Sequence, residues 1–112
     1  MLTKTLGTLA VAGALALFTG QAMADGCDIS GMRSPGTNAG VNLTVVNTVP
    51  DRNALVTWVD FDGNRVVYAE IGPNETTELR TLTGHIWAIE NNAGLCAAIV
   101  TMGGLNLTVT VQ

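Results

Sequence analysis

Along residues 105–111 apolar and polar positions alternate strictly, with Leu105, Leu107, Val109 and Val111 on one face and Asn106, Thr108 and Thr110 on the other. That period of two is the signature of an extended strand. Six further runs rich in β-branched residues, at 41–47, 54–61, 65–71, 76–82, 85–90 and 95–101, are predicted strands as well. Turn-forming sequences punctuate them: Pro50-Asp51-Arg52-Asn53, Asp62-Gly63-Asn64, Gly72-Pro73-Asn74, Thr83-Gly84, Asn91 to Gly94 and Gly103-Gly104. No stretch sustains the three-four spacing of an amphipathic helix. The pattern predicts an all-β, seven-stranded antiparallel β-sandwich. Strand 105–111 should show one face to water, whereas the nearly unbroken apolar run 95–100 predicts a strand covered on both faces or placed centrally.

Ahead of the strands the pattern changes twice. Residues 25–40 are rich in Gly, Ser, Pro, Asn and Asp without apolar periodicity, and are predicted to form an irregular arm. Residues 1–24 read as a secretory signal peptide: Lys4, an apolar run from Leu6 to Phe18, and then Ala22-Met23-Ala24 as a small-x-small cleavage site. The run is too short for a bilayer span, which needs about 20 residues. The expected organisation is signal peptide 1–24, arm 25–40 and β-sandwich domain 41–112, in a secreted or periplasmic protein with no integral membrane span after processing.

Export changes how the cysteines are read. Cys27 and Cys96 both lie in the exported part, and an even count in an oxidising compartment predicts one disulfide. Closing so long a loop stabilises a small domain by roughly 4 kcal/mol on the chain-entropy account. Two cysteines and the single histidine cannot complete a closed four-ligand zinc site, so no metal or other cofactor is expected.

Charge narrows the partners. Without Lys4 the cations are Arg33, Arg52, Arg65 and Arg80, one per segment, against nine acidic residues. Phosphate backbones need a clustered basic face, so no nucleic-acid role is expected. Catalysis is not expected either. His85 is the sole histidine, the exported part has no lysine, and Ser30 and Ser34 sit in the irregular arm rather than in a nucleophile turn. Asp60 and Asp62 flank a turn with no sign of the facing geometry of a glycosidase pair.

The aromatic residues give a positive signal. Beyond the leader there are only Trp58, Phe61, Tyr68 and Trp87. Strand periodicity puts His85 and Trp87 on one face. If the hairpin loop is Asp62-Gly63-Asn64, Phe61 pairs with Arg65 and Trp58 lies opposite Tyr68, whereas a two-residue loop would turn Tyr68 away. Asn64, tolerant of the left-handed conformation, favours the longer loop.

Trp58-Val59-Asp60-Phe61-Asp62-Gly63, then Tyr68, then Gly84-His85-Ile86-Trp87 resemble the tryptophan, Phe-Asp-Gly turn, tyrosine and Gly-His-x-Trp segments of the von Hippel-Lindau β-domain family. The resemblance runs without a gap from Trp58 to Tyr68 and from Thr81 to Trp87. It implies a seven-stranded sandwich with a pocket for 4-hydroxyproline in an extended peptide, and places Trp58, Tyr68, Thr81, His85 and Trp87 at the pocket positions, Thr81 standing where the family has serine. The family's paired arginines before that serine align with Thr77 and Glu78, so an acidic peptide is not the expected ligand. Ubiquitin ligation is not implied, since the family's helical domain has no counterpart here.

The expected function is therefore binding, of an extended peptide or extracellular protein that carries a hydroxylated ring. The alternatives are a structural or adhesive sandwich whose aromatics serve packing alone, and a carbohydrate-binding domain that stacks sugars on the same rings.

Overall fold

The computed structural model describes residues 26–91 and 93–112, all in strands, turns and irregular segments. The predicted signal peptide and its cleavage point after Ala24 lie outside the described residues. No helix among the described residues is long and apolar enough to cross a membrane.

Seven strands form two sheets: β1 (Gly40–Asn47), β2 (Ala54–Val59), β3 (Arg65–Ile71), β4 (Thr76–Leu82), β5 (Ile86–Asn91), β6 (Cys96–Thr101) and β7 (Leu107–Val111). One sheet has the order β4-β1-β7 and the other β3-β2-β5-β6. The all-β sandwich expected from the sequence is thus the architecture observed. Every pairing is antiparallel except that of β1 with β7, which is parallel. Asp60, Phe61, His85, Leu95, Leu105 and Asn106 fall just outside the strands predicted to contain them.

The inner faces follow the period of two. Val41, Leu43 and Val45 of β1 meet Val56 of β2 and Trp87 and Ile89 of β5, with Ile71, Met102 and Val111 closing the ends. The other face of the four-stranded sheet is covered too. Thr57, Val59 and Ala88 point away from the core yet are buried, because the arm crosses them. Ser34 fixes that crossing: its hydroxyl donates to the Val59 carbonyl and accepts from the Ile86 amide, while its own amide donates to the Asp60 carbonyl. The predicted disulfide joins Cys27 to Cys96 and ties the arm to β6.

Two expectations are corrected. The apolar run 95–100 is neither central nor covered on both faces; β6 is an edge strand, with Cys96, Ala97 and Ile99 exposed. β2 and β5 are the doubly covered strands, because the arm lies over them, and a run of Ala, Ile and Val reads alike at an edge and in the middle. The hairpin register also differs. Trp58 lies opposite Val66, not Tyr68, and Val59, not Phe61, pairs with Arg65. The carboxylate of Asp60 explains the shift by accepting the amides of Asp62 and Asn64 at 2.9 and 2.7 Å, so the turn begins at Asp60. Gly63, at φ 85°, takes the left-handed position assigned above to Asn64.

Candidate functional site

The tight Asp60 turn and the bulge that follows it together set the pocket's first wall. Val56 pairs with Ala69 and Thr57 with Val67, leaving Tyr68 as the extra residue of a β-bulge. A bulge re-aims its side chain, and here it swings Tyr68 onto the face of Trp58. The rings meet edge to face with centroids 5.9 Å apart. Tyr68 also meets Trp87 edge on, at 5.2 Å, and Trp87 lies directly across from Trp58 in the β2–β5 pairing. The juxtaposition predicted for Trp58 and Tyr68 is present, through a bulge rather than through direct pairing.

His85 occupies the turn between β4 and β5. Gly84, at φ 80°, makes that turn possible, and an added Cβ there would strike Pro35 of the arm at 2.7 Å. The amide of His85 donates to Leu82, and its carbonyl accepts from Met102, whose own carbonyl accepts from Gly84. So braced, the imidazole stacks on Trp58 at 5.6 Å and meets the edge of Phe61 at 5.7 Å. Thr81, buried on β4, accepts the indole N–H of Trp87 at 3.0 Å, a bond that fixes the tilt of Trp87 beneath the pocket floor.

These groups form a half-open cavity of about 190 Å³ between the sheets, lined by Trp58, Phe61, Tyr68, Arg80, Thr81, Leu82, His85 and Trp87. The structure brings together all five residues expected around a ligand: Trp58, Tyr68, Thr81, His85 and Trp87. It adds Phe61, Arg80 and Leu82, which the sequence reading left out. Phe61 was legible as the exposed apolar residue of an Asp-Gly turn, and Arg80 and Leu82 flank Thr81. Two polar atoms here are buried without a hydrogen-bond partner among the described residues, Trp58 Nε1 and His85 Nε2. Such atoms cost about 1–3 kcal/mol each if left unpaired.

A larger, open groove of about 880 Å³ lies on the opposite face, between the arm and the turn at Asp62-Gly63. Its buried polar groups are engaged with one another. Glu90 accepts the Cys27 amide and the Arg65 guanidinium at 3.0 Å, and Arg65 also donates to the Cys27 carbonyl. At the groove's rim the Asp28 carboxyl is held below its ordinary value by hydrogen bonds from the side chain and amide of Ser30. This groove is a seam between arm and sheet, in which Arg65, Glu90 and Asp28 each have a structural partner while Arg33 and Asp62 stand at the exposed rim.

No protein-family model and no curated protein sequence matches the chain.

Proposed function

We propose that the protein is an exported binding module whose aromatic pocket takes a hydroxylated five-membered ring, namely 4-hydroxyproline within an extended peptide. The observation that carries this reading is that two residues lining the pocket each hold a buried nitrogen, Trp58 Nε1 and His85 Nε2, with no hydrogen-bond partner among the described residues. An indole N–H can only donate, while the free imidazole nitrogen donates or accepts according to tautomer. A hydroxyl on a ring held between Trp58, Tyr68 and Trp87 exchanges a hydrogen bond with His85, and a neighbouring peptide carbonyl accepts from Trp58. A cavity near 190 Å³ suits one ring rather than a whole small molecule, for which 300–1,000 Å³ is usual.

The pocket opens beside β3 and β4, both edge strands. An extended peptide can lie across this opening with one side chain in the cavity, without adding as a continuous strand, since β3 is bulged at Tyr68 and both edges carry charges. Binding is a better reading than catalysis here. Both cysteines are joined to each other, and the sole histidine is stacked on Trp58 with no carboxylate or hydroxyl hydrogen-bonded to it among the described residues.

Titration of the exported protein with paired peptides differing only in proline hydroxylation tests the reading. The hydroxylated member should bind on the order of 10- to 100-fold more tightly, the worth of not leaving buried polar atoms unpaired. His85→Ala should abolish that preference while leaving most of the protein folded in a thermal melt. Equal affinity for the two peptides rejects the proposal. Binding confined to a glycan panel replaces it with sugar recognition, and binding to neither leaves a structural or adhesive sandwich.

A further inference from the structure

A sandwich of two open sheets has four edge strands, here β3, β6, β4 and β7. Exposed edges offer unpaired backbone groups to any passing strand, and proteins blunt them with charges, prolines or bulges. Three of the four edges are blunted. β3 carries the bulge at Tyr68 together with Arg65 and Glu70, and β4 carries Glu78 and Arg80. β6 has its own bulge, since Ile89 pairs with Ala98 and Glu90 with Cys96, leaving Ala97 over. β7, Leu-Thr-Val-Thr-Val, has no charge, no proline and no register shift against β1. Indeed no charged residue occurs anywhere from 94 to 112.

The pairing with β1 decides which backbone groups of β7 are free. The Val111 carbonyl accepts the Thr48 amide at 3.0 Å, so Val111 turns its backbone toward β1. Direction alternates along a strand. Val109 and Leu107 therefore also turn inward, and the amides and carbonyls of Thr108 and Thr110 point to the open edge. Both threonines are exposed.

We propose that β7 is a self-association edge, where a second copy of this chain pairs antiparallel about a two-fold axis through Val109. The sequence of β7 is close to a palindrome about that residue. With Val109 opposite itself, Thr108 lies opposite Thr110 of the other copy, and these are the residues with free backbone groups. Each Thr108–Thr110 pair exchanges two hydrogen bonds, giving four about the axis. The face pattern matches at the same time: threonine meets threonine outside, and Leu107 meets Val111 inside. Leu107 is an inward residue left 37% exposed, and Leu105, which precedes it, is 83% exposed. The result is a continuous six-stranded sheet of order β4-β1-β7-β7-β1-β4. A closed two-fold contact of this kind stops at a dimer. Like copies, both acidic, meet here on the stretch where neither carries charge.

One short strand per copy buries little area against the roughly 1,000 Å² of a stable interface, so the dimer forms in a concentration-dependent manner. Sedimentation velocity on the exported, disulfide-bonded protein from about 10 μM to about 1 mM should show the mean mass rising from one chain toward two, as for a dissociation constant inside that range. Thr110→Pro removes an outward amide that β1 does not use, which edge strands tolerate, and should weaken association at least tenfold with little change in far-UV circular dichroism. Val109→Cys should form a disulfide between copies, seen by non-reducing mass spectrometry, because the residue meets itself at the axis; adding Thr110→Pro should suppress it. A monomer throughout the range overturns the proposal. So does a dimer indifferent to Thr110→Pro, or a Val109→Cys protein that stays uncrosslinked while wild type dimerises.

Discussion

The two faces of the four-stranded sheet treat buried polar groups in opposite ways. On the outer face the arm brings a partner to nearly every one. Ser34 bridges two strands, and Glu90 collects an amide and a guanidinium; the hydroxyl of Thr57 is the exception. On the inner face, at the β3–β4 end, Trp58 and His85, which line a cavity, each hold a buried nitrogen without a partner among the described residues. The contrast teaches that burial by itself does not mark a site. The outer face encloses more polar chemistry and a larger groove, yet Ser34, Arg65 and Glu90 are consumed in holding the arm. The inner pocket is smaller but retains hydrogen-bonding capacity, and only retained capacity is available to a ligand.

The largest effect that tests this contrast is loss of the disulfide. Replacing Cys27 and Cys96 together by serine should cost roughly 4 kcal/mol, from the long loop that the bond closes. Chemical denaturation measures it. If the outer face is purely structural, the fraction that remains folded should keep whatever peptide preference the wild type has.

Glu90→Gln probes the same face more gently. It keeps the side chain's size but removes the charge that meets Arg65 and the Cys27 amide, and should cost about 1–2 kcal/mol, less than for a fully buried pair because Arg65 is well solvated. A thermal melt should show the loss, and proteolysis near residues 26–34 should accelerate. Unchanged stability would mean that the disulfide alone holds the arm.

Trp58→Phe is the smallest and most discriminating change. It deletes one unpaired N–H while retaining an aromatic ring, so stability should move by no more than about 1.5 kcal/mol, as for conservative core substitutions. Affinity for the hydroxylated peptide should fall several-fold. A drop in stability with unaltered affinity would return Trp58 to the core and erase the distinction between the faces at that residue.

Much of this arrangement was legible in the residues. Period-two runs between turn sequences marked all seven strands to within a few positions, and the paired cysteines marked the staple. The position of β6 was not legible, because Ala97, Ala98 and Ile99 satisfy an exposed edge as well as a buried centre. Nor was the double burial of β2 and β5, since nothing local to Thr57 or Ala88 announces that residues 26–39 will lie across them. In the pocket, the side chains that assemble followed from aromatic placement and from the family resemblance. How they assemble did not. The register rests on the carboxylate of Asp60 capping its own turn and on a bulge at Tyr68, both set by hydrogen bonds to backbone atoms rather than by hydrophobic pattern.

The parallel pairing of β1 with β7 has a consequence in time. β1 can find β4 once the intervening hairpin exists, but its other side stays open until β7 arrives from the far end of the described chain. Contacts between residues so distant in sequence slow folding, which for all-β topologies of this size takes milliseconds to seconds rather than microseconds. The three-stranded sheet thus closes after the β2–β3 and β5–β6 hairpins, whose contacts are local. A chain released or transported in the direction of synthesis would spend that interval with β1 half paired, one edge of its backbone waiting on the strand that emerges after the other six.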